Sequence, residues 1–215
     1  MRTIFQYAFI IIKEVFKKMK RVISILLIIS SILVIFTLSL YGAEATKYDF
    51  RKTNWGMSKE QVKATEKNKI AFEDKEVIAM DRAQVDGKEC IYVYYFLEDK
   101  LYRAGYSFME EHINKNFYID DYEDLKEILT KKYDKPVLDK KIWENDLFKD
   151  DRSSWGLAVS VGHLKYFSSW ETSTTYINLG IDGDNYKISL TIGYYSKELE
   201  EWADKILEEK AKSNF

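Results

Sequence analysis

A chain of 215 residues with one cysteine, one proline and two histidines is short of what several kinds of chemistry need. A single thiol, Cys90, closes no internal disulfide, so the fold stands without covalent staples. Cys90 lies in an apolar strand-like run and reads as a buried, inert side chain. The two histidines, His112 and His163, find no second His or Cys at metal-ligand spacing. His112, in "EEHINKN", reads as part of a solvated loop, and His163 as the polar face of a strand. Ser160, His163 and Asp182 can be written down as a triad, but no nucleophile-elbow sequence surrounds any serine. "DGDN" (182–185) lacks the later glutamate that a calcium loop requires and reads as a hairpin turn. The adjacent pairs Asp120–Asp121 and Asp150–Asp151 suit a helix cap and a solvated loop better than acid/base work across a substrate. The expectation is no catalytic residue, no metal, no cofactor, and a protein that is not an enzyme.

Positive charge is also scarce where it would matter. Six of the 33 Lys and Arg and two of the 35 Asp and Glu fall in the first 45 residues, leaving 27 cations against 33 anions beyond them. An acidic balance disfavours nucleic acid as a partner. The cations that open the chain instead flank an apolar run. "KKMKR" (17–21) precedes Val22–Leu40, 19 residues without a charge, and Ala43 and Ala45 follow as an Ala-x-Ala site. That order is an export signal. Two outcomes stand open: cleavage after Ala45, which starts the mature chain at Thr46, or an uncleaved anchor, since the run approaches the roughly 20 residues that span a bilayer. Met19 opens "MKRVISIL", a second conventional signal start, which leaves 1–18 as a candidate mis-assigned extension. Either way the cations stay inside and 46–215 is exported, periplasmic or secreted, or tethered outside.

Aromatics make up 15% of the chain, and the exported part is large enough to bury a substantial core. Ser58 and Gln61 form a capping-box pattern that opens a helix over 59–67. Strands are expected over 76–85, 89–97 and 101–109, joined by the short connectors "DGK" and "EDK". Tyr122, Leu125, Ile128, Leu129 and Tyr133 mark a second helix, capped by Asp120 or Asp121 and stopped by Pro136. Residues 139–154 read as a loop. Strands follow over 163–171, 173–181 and 185–195, then a final helix capped by Ser196, with Leu199, Trp202, Ala203, Ile206 and Leu207 in one stripe. The expected class is α+β: antiparallel sheets covered by helices in the order α-βββ-α-βββ-α. Residues 46–115 and 116–215 are candidate structural repeats. Trp155-Gly156 echoes Trp55-Gly56, though only the earlier pair is expected to precede a helix.

The opening stretch "NWGMSKEQVKATEK" (54–67) carries a resemblance. Gly56-Met57-Ser58-Lys59-Glu60-Gln61-Val62 resembles the Gly-Met-Ser/Thr-x-x-x-Val helix start of small bacterial envelope proteins of the SmpA/OmlA (BamE-like) type. The element order is similar to that of the beta-lactamase inhibitory proteins, which look like two such units side by side. The likeness implies a non-catalytic protein-binding module of the envelope. It departs from the former in lacking a lipobox cysteine and from the latter in lacking disulfides. The residues of the stretch also have an ordinary structural use, with Ser58 as cap, Gly56 as turn, and Trp55 and Val62 as packing.

The aromatic strands are the candidate surface. In "CIYVYYFL" (90–97), Tyr92, Tyr94 and Phe96 share one face and Ile91, Val93, Tyr95 and Leu97 the other. In the next strand Tyr102, Tyr106 and Phe108 share a face opposite Arg103. A Tyr-rich sheet face suits protein recognition, and Tyr92, Tyr94, Phe96, Tyr102 and Tyr106 are its candidates. The expected partner is another envelope or secreted protein, with membrane contact only through 22–40. Two alternatives stay open: the rings line a ligand or peptide cleft between the halves, or the halves pack face to face and bury them.

Overall fold

The computed structural model describes residues 48–213. The apolar run Val22–Leu40 and the Ala43/Ala45 site lie outside those residues. No helix among the described residues is long and apolar enough to cross a membrane.

Helix α1 (Lys59–Thr65) starts as its sequence requires. The Ser58 hydroxyl accepts the Gln61 N–H, and Gln61 Oε1 accepts the Ser58 N–H at 2.8 Å, a complete capping box. Gly56 turns into it at φ +82°, and Val62 is buried beneath it. Strands β1 (Ile70–Glu73), β2 (Val77–Val85), β3 (Lys88–Leu97) and β4 (Lys100–Phe108) form an antiparallel meander. Helix α2 (Phe117–Tyr133) follows, then β5 (Leu138–Trp143), a short helix α3 (Trp155–Ser160), and a second meander of β6 (Leu164–Glu171), β7 (Thr175–Asp184) and β8 (Lys187–Ser196). Helix α4 (Glu200–Ser213) ends the described chain.

The two meanders are one sheet. β4 pairs with β8 through five residue pairs, Arg103↔Tyr195 to Ser107↔Thr191, giving the order β1-β2-β3-β4-β8-β7-β6-β5. The expected α-βββ-α-βββ-α arrangement of separate sheets is therefore corrected: a single eight-stranded antiparallel sheet runs through both halves. Two strands escaped the sequence reading because their residues look exposed. β1 is four residues long, and β5 is "LDKKIW", whose lysines and aspartate suit an edge strand. Residues 139–154 are accordingly not a loop; they hold β5 and two 3₁₀ turns, Asp146–Phe148 and Arg152–Ser154.

Three hairpins close on two-residue turns with both residues at positive φ: Asp86–Gly87, Glu98–Asp99 and Asn185–Tyr186. Such turns match the twist of the flanking strands. The last turn takes only Asn185 from "DGDN", whose Asp182–Asp184 belong to β7. Helix α2 starts four or five residues earlier than its expected caps allow. Asn116 sits at its N-cap, donating from Nδ2 to the Ser153 carbonyl and accepting the Gly156 N–H at Oδ1, which ties α2 to α3. Trp155-Gly156 thus does open a helix.

The helices α1, α2 and α3 all pack on one face of the sheet. Val62, Tyr122, Leu125, Leu129, Ala158 and Val159 join Ile78, Met80, Tyr92, Tyr94, Leu164, Trp170, Ile177, Leu179, Leu190 and Ile192 in one core. Burial on this scale is the main stabilising term. A second, smaller cluster forms at one end of the opposite face, where Leu97 and Tyr102 meet Leu199, Trp202 and Ala203 around α4.

The open face as the candidate functional site

Strand register decides what each face presents. Across β2, β3, β4, β8, β7 and β6 a row runs Val77–Tyr95–Arg103–Tyr195–Tyr176–Glu171. The next row is Ala79–Val93–Gly105–Gly193–Asn178–Ser169, and the one after is Ile91–Ser107–Thr191–Gly180–Phe167. These residues lie opposite the α1–α3 core, because successive residues of a strand alternate faces. They are the partly exposed side chains, with Tyr95 at 40% and Tyr176 at 45%.

Arg103 is the fixed point of this face. Its Nε donates to both carboxylate oxygens of Glu200, at 2.8 and 3.0 Å, and its guanidinium also bonds Glu200 and Asp204 through Nη2. That ties α4 to the sheet, and the bonds to Glu200 hold the guanidinium charge firmly, against the opposing effect of burial. The same group lies 5.4 Å from the Tyr195 ring and 5.2 Å from that of Tyr102, within cation–π range.

Beside Arg103 the sheet surface dips. Gly105 and Gly193 are paired at the centre, and a shallow trough of about 420 Å³ is lined by Val93, Tyr95, Arg103, Ser107, Thr191 and Tyr195. A Cβ on Gly193 would fall 2.6–2.9 Å from the hydroxyl end of the Tyr195 side chain, which therefore lies over Gly193. A Cβ on Gly105 would fall 2.6 Å from the Ile192 carbonyl oxygen. Glycine here lets tyrosine lie along the sheet.

The residues expected on the surface lie elsewhere. Tyr92 and Tyr94 are fully buried and Phe96 is 2% exposed, all on the helix-covered face. Their burial corrects the expectation that they form an exposed surface. Tyr106 joins the same core, 5.0 Å from the Phe50 ring. Tyr102 does not share its face. The β3–β4 register slips between Tyr95 and Phe96, leaving Tyr102 as the extra residue of a bulge; the bulge turns it onto α4, where it is 7% exposed. The outer face belongs to their sequence neighbours Val93, Tyr95 and Arg103, and no sequence signal separated the two sets beyond the parity of the strand.

Polar partners explain why tyrosine serves as core. Glu66, just past α1, accepts from Tyr92 at 2.9 Å and Tyr94 at 2.5 Å and pairs with Arg51 at 3.1 Å. Arg51 lies 4.0 Å from the Tyr92 ring centroid. Burial raises the Tyr94 hydroxyl far above its ordinary value, and the Glu66 carboxylate adds to it. Trp55 donates from Nε1 to Thr175 Oγ1 at 2.9 Å, which joins the opening stretch to β7.

The other candidates are structural in their contacts. His112 is not a solvated loop residue: its Nε2 bonds Asp121 at 2.6 Å and its ring packs on Tyr118. Asp121 also binds Lys88 at 2.7 Å and is nearly buried, so it holds α2 to β3 rather than capping the helix. Asp120 makes no cap either, since α2 has begun before it. The Ser160 hydroxyl donates to the Leu157 carbonyl, and His163 stacks on Phe148 with its Nδ1 buried; neither bonds the other. Cys90 is buried as expected.

No family model, no curated protein and no solved structure matches this chain.

Proposed function

We propose that this is a non-enzymatic, exported protein of the cell envelope that binds another protein through the open face of its sheet. The observation that carries the reading is the Tyr95–Arg103–Tyr195–Tyr176 row. It sets three tyrosines and an arginine held in place by Glu200 on the face that α1–α3 leave uncovered. Tyrosine and arginine dominate the energetics of protein interfaces, and a preordered arginine loses little entropy on docking. Export rests on the "KKMKR"–Val22–Leu40–Ala45 order. The likeness of Gly56–Val62 to SmpA/OmlA-type envelope proteins supports a binding role, and the acidic balance after Ala45 speaks against nucleic acid as the partner.

The test is a crosslinking pull-down of the full chain from its host's envelope, repeated with Tyr95→Ser/Tyr176→Ser. A stoichiometric partner that is lost in the double variant, with an unchanged unfolding curve, supports the reading. A partner retained by the double variant, or none at all, overturns it. Intact mass of the native protein tests export separately, since a cleaved signal leaves Thr46 first.

A further inference from the structure

On the helix-covered side, away from the open face, a cleft of about 390 Å³ opens where α2, the Arg152–Ser154 turn, α3 and the edge of the sheet meet. Lys141 of β5 and Tyr166 of β6 are cross-strand partners on its floor. Trp155 forms a wall. Its ring orientation is set by the Nε1 bond to the Lys149 carbonyl at 3.1 Å and by edge contact with Trp143. The Lys141 ammonium lies 3.9 Å from the Trp155 ring centroid and the Arg152 guanidinium 5.3 Å from it.

Three hydrogen-bond donors of this cleft have no acceptor among the described protein groups. Among the described residues, the Lys141 ammonium and the Arg152 guanidinium form no ion pair, unlike Lys88 with Asp121 or Lys126 with Glu123. The Tyr166 hydroxyl likewise has no hydrogen-bond partner, although its ring is buried. Burial and then the nearby Arg152 charge hold the Lys141 ammonium below the ordinary lysine value, offset in part by Glu123. Two like charges beside one aromatic wall, with a hydroxyl donor between strands, are what an anion would relieve.

We propose that this cleft binds a small organic carboxylate, with its anionic group on Lys141, Arg152 and the Tyr166 hydroxyl and its apolar body against Trp155 and Ile119. The single charge follows from the lining. Asp120 and Glu123 stand at the cleft with the two cations, so it has no net positive charge to attract a phosphate dianion, while one carboxylate needs only the three local donors. The volume suits a ligand of this size. The site shares no residue with the Tyr95–Tyr176 row and stands whether or not that face binds a protein.

Calorimetric titration of the full chain with 3-phenylpropionate tests the proposal, with 3-phenylpropanamide and inorganic phosphate as comparison ligands. Saturable 1:1 binding is expected. It should weaken about tenfold or more in Lys141→Met and in Arg152→Met, and about threefold in Tyr166→Phe, which keeps the ring. Lys141 and Arg152 are exposed enough that their variants should keep the parent melting temperature. The amide should bind at least about tenfold more weakly. No saturation below about 10 mM, equal binding of the amide, tighter binding of phosphate, or indifference to both cation variants would each overturn it.

Discussion

The Tyr94 hydroxyl donates to Glu66 Oε1 at 2.5 Å from inside the core, and the same carboxylate accepts from Tyr92 and Arg51. A charged group thereby organises the aromatic half of the covered face. Its three donors come from the N-terminal turn and from β3, so the interaction fixes α1 against both.

Burial alone would raise the Glu66 carboxyl, but the bonds from Tyr94 and Arg51 outweigh that and hold it below its ordinary value of 4.5. A lowered folded-state value means the unfolded chain binds the proton more readily, so stability is present above pH 4.5 and is lost as pH falls through the folded value. Urea unfolding as a function of pH should show this acid loss. Glu66→Gln should remove that part of the pH dependence and lower stability at neutral pH by about 2 kcal/mol. An unchanged acid limb in the variant would assign the loss to other carboxylates.

The two tyrosine sets of β3 should respond oppositely to truncation. Tyr92→Ser and Tyr94→Ser remove fully buried rings and should each cost about 3 kcal/mol or more. Tyr95→Ser and Tyr176→Ser change exposed rings and should stay within about 0.5 kcal/mol. Chemical denaturation of the four single variants gives the comparison directly. Similar losses in all four would mean that the outer face is covered in the native protein.

Glycine-to-alanine substitutions should rank by the space around each position. Gly105→Ala drives its methyl against the Ile192 carbonyl and should cost about 2 kcal/mol. Gly193→Ala displaces the Tyr195 ring, a side chain able to swing away, and should cost about 1 kcal/mol while exposing Arg103. Gly180→Ala meets nothing within 4 Å and should be tolerated within about 0.5 kcal/mol. Thermal melts of the three variants establish the order.

Cys90 should be nearly inert. Burial pushes its thiol up to about 11 from 9.0, tempered by Arg51, which leaves about a hundredfold fewer thiolates near neutral pH than a free cysteine has. Iodoacetamide labelling followed by mass should be negligible in the native protein and rapid in urea. Fast native labelling would show β3 opening on its own.

Three of the helices were legible because their signals are local, whereas α3 (Trp155–Ser160) was not expected. The Ser58–Gln61 capping box, the stripe in α4 and the stop at Pro136 each act over a few residues, and each marks an element that the structure contains. The long strands were legible for the same reason, since period-two patterns in β3 and β8 are written in the chain. β1 and β5 were not, because edge strands of charged and exposed residues carry no apolar period.

What the sequence by itself determined is the alternation within each strand, the turns between them and the absence of disulfides. The tertiary structure decided which face of each strand is buried and that β4 joins β8 into one sheet. The alternation of β3 makes both of its faces aromatic or aliphatic, so it does not say which one the helices cover. That choice depends on where Glu66 and Phe50, far along the chain, supply bonds and packing for Tyr92, Tyr94 and Tyr106. A single bulge at Tyr102 then reverses the parity at the start of β4. Both are long-range outcomes of hydrogen bonding and register, which no local pattern specifies.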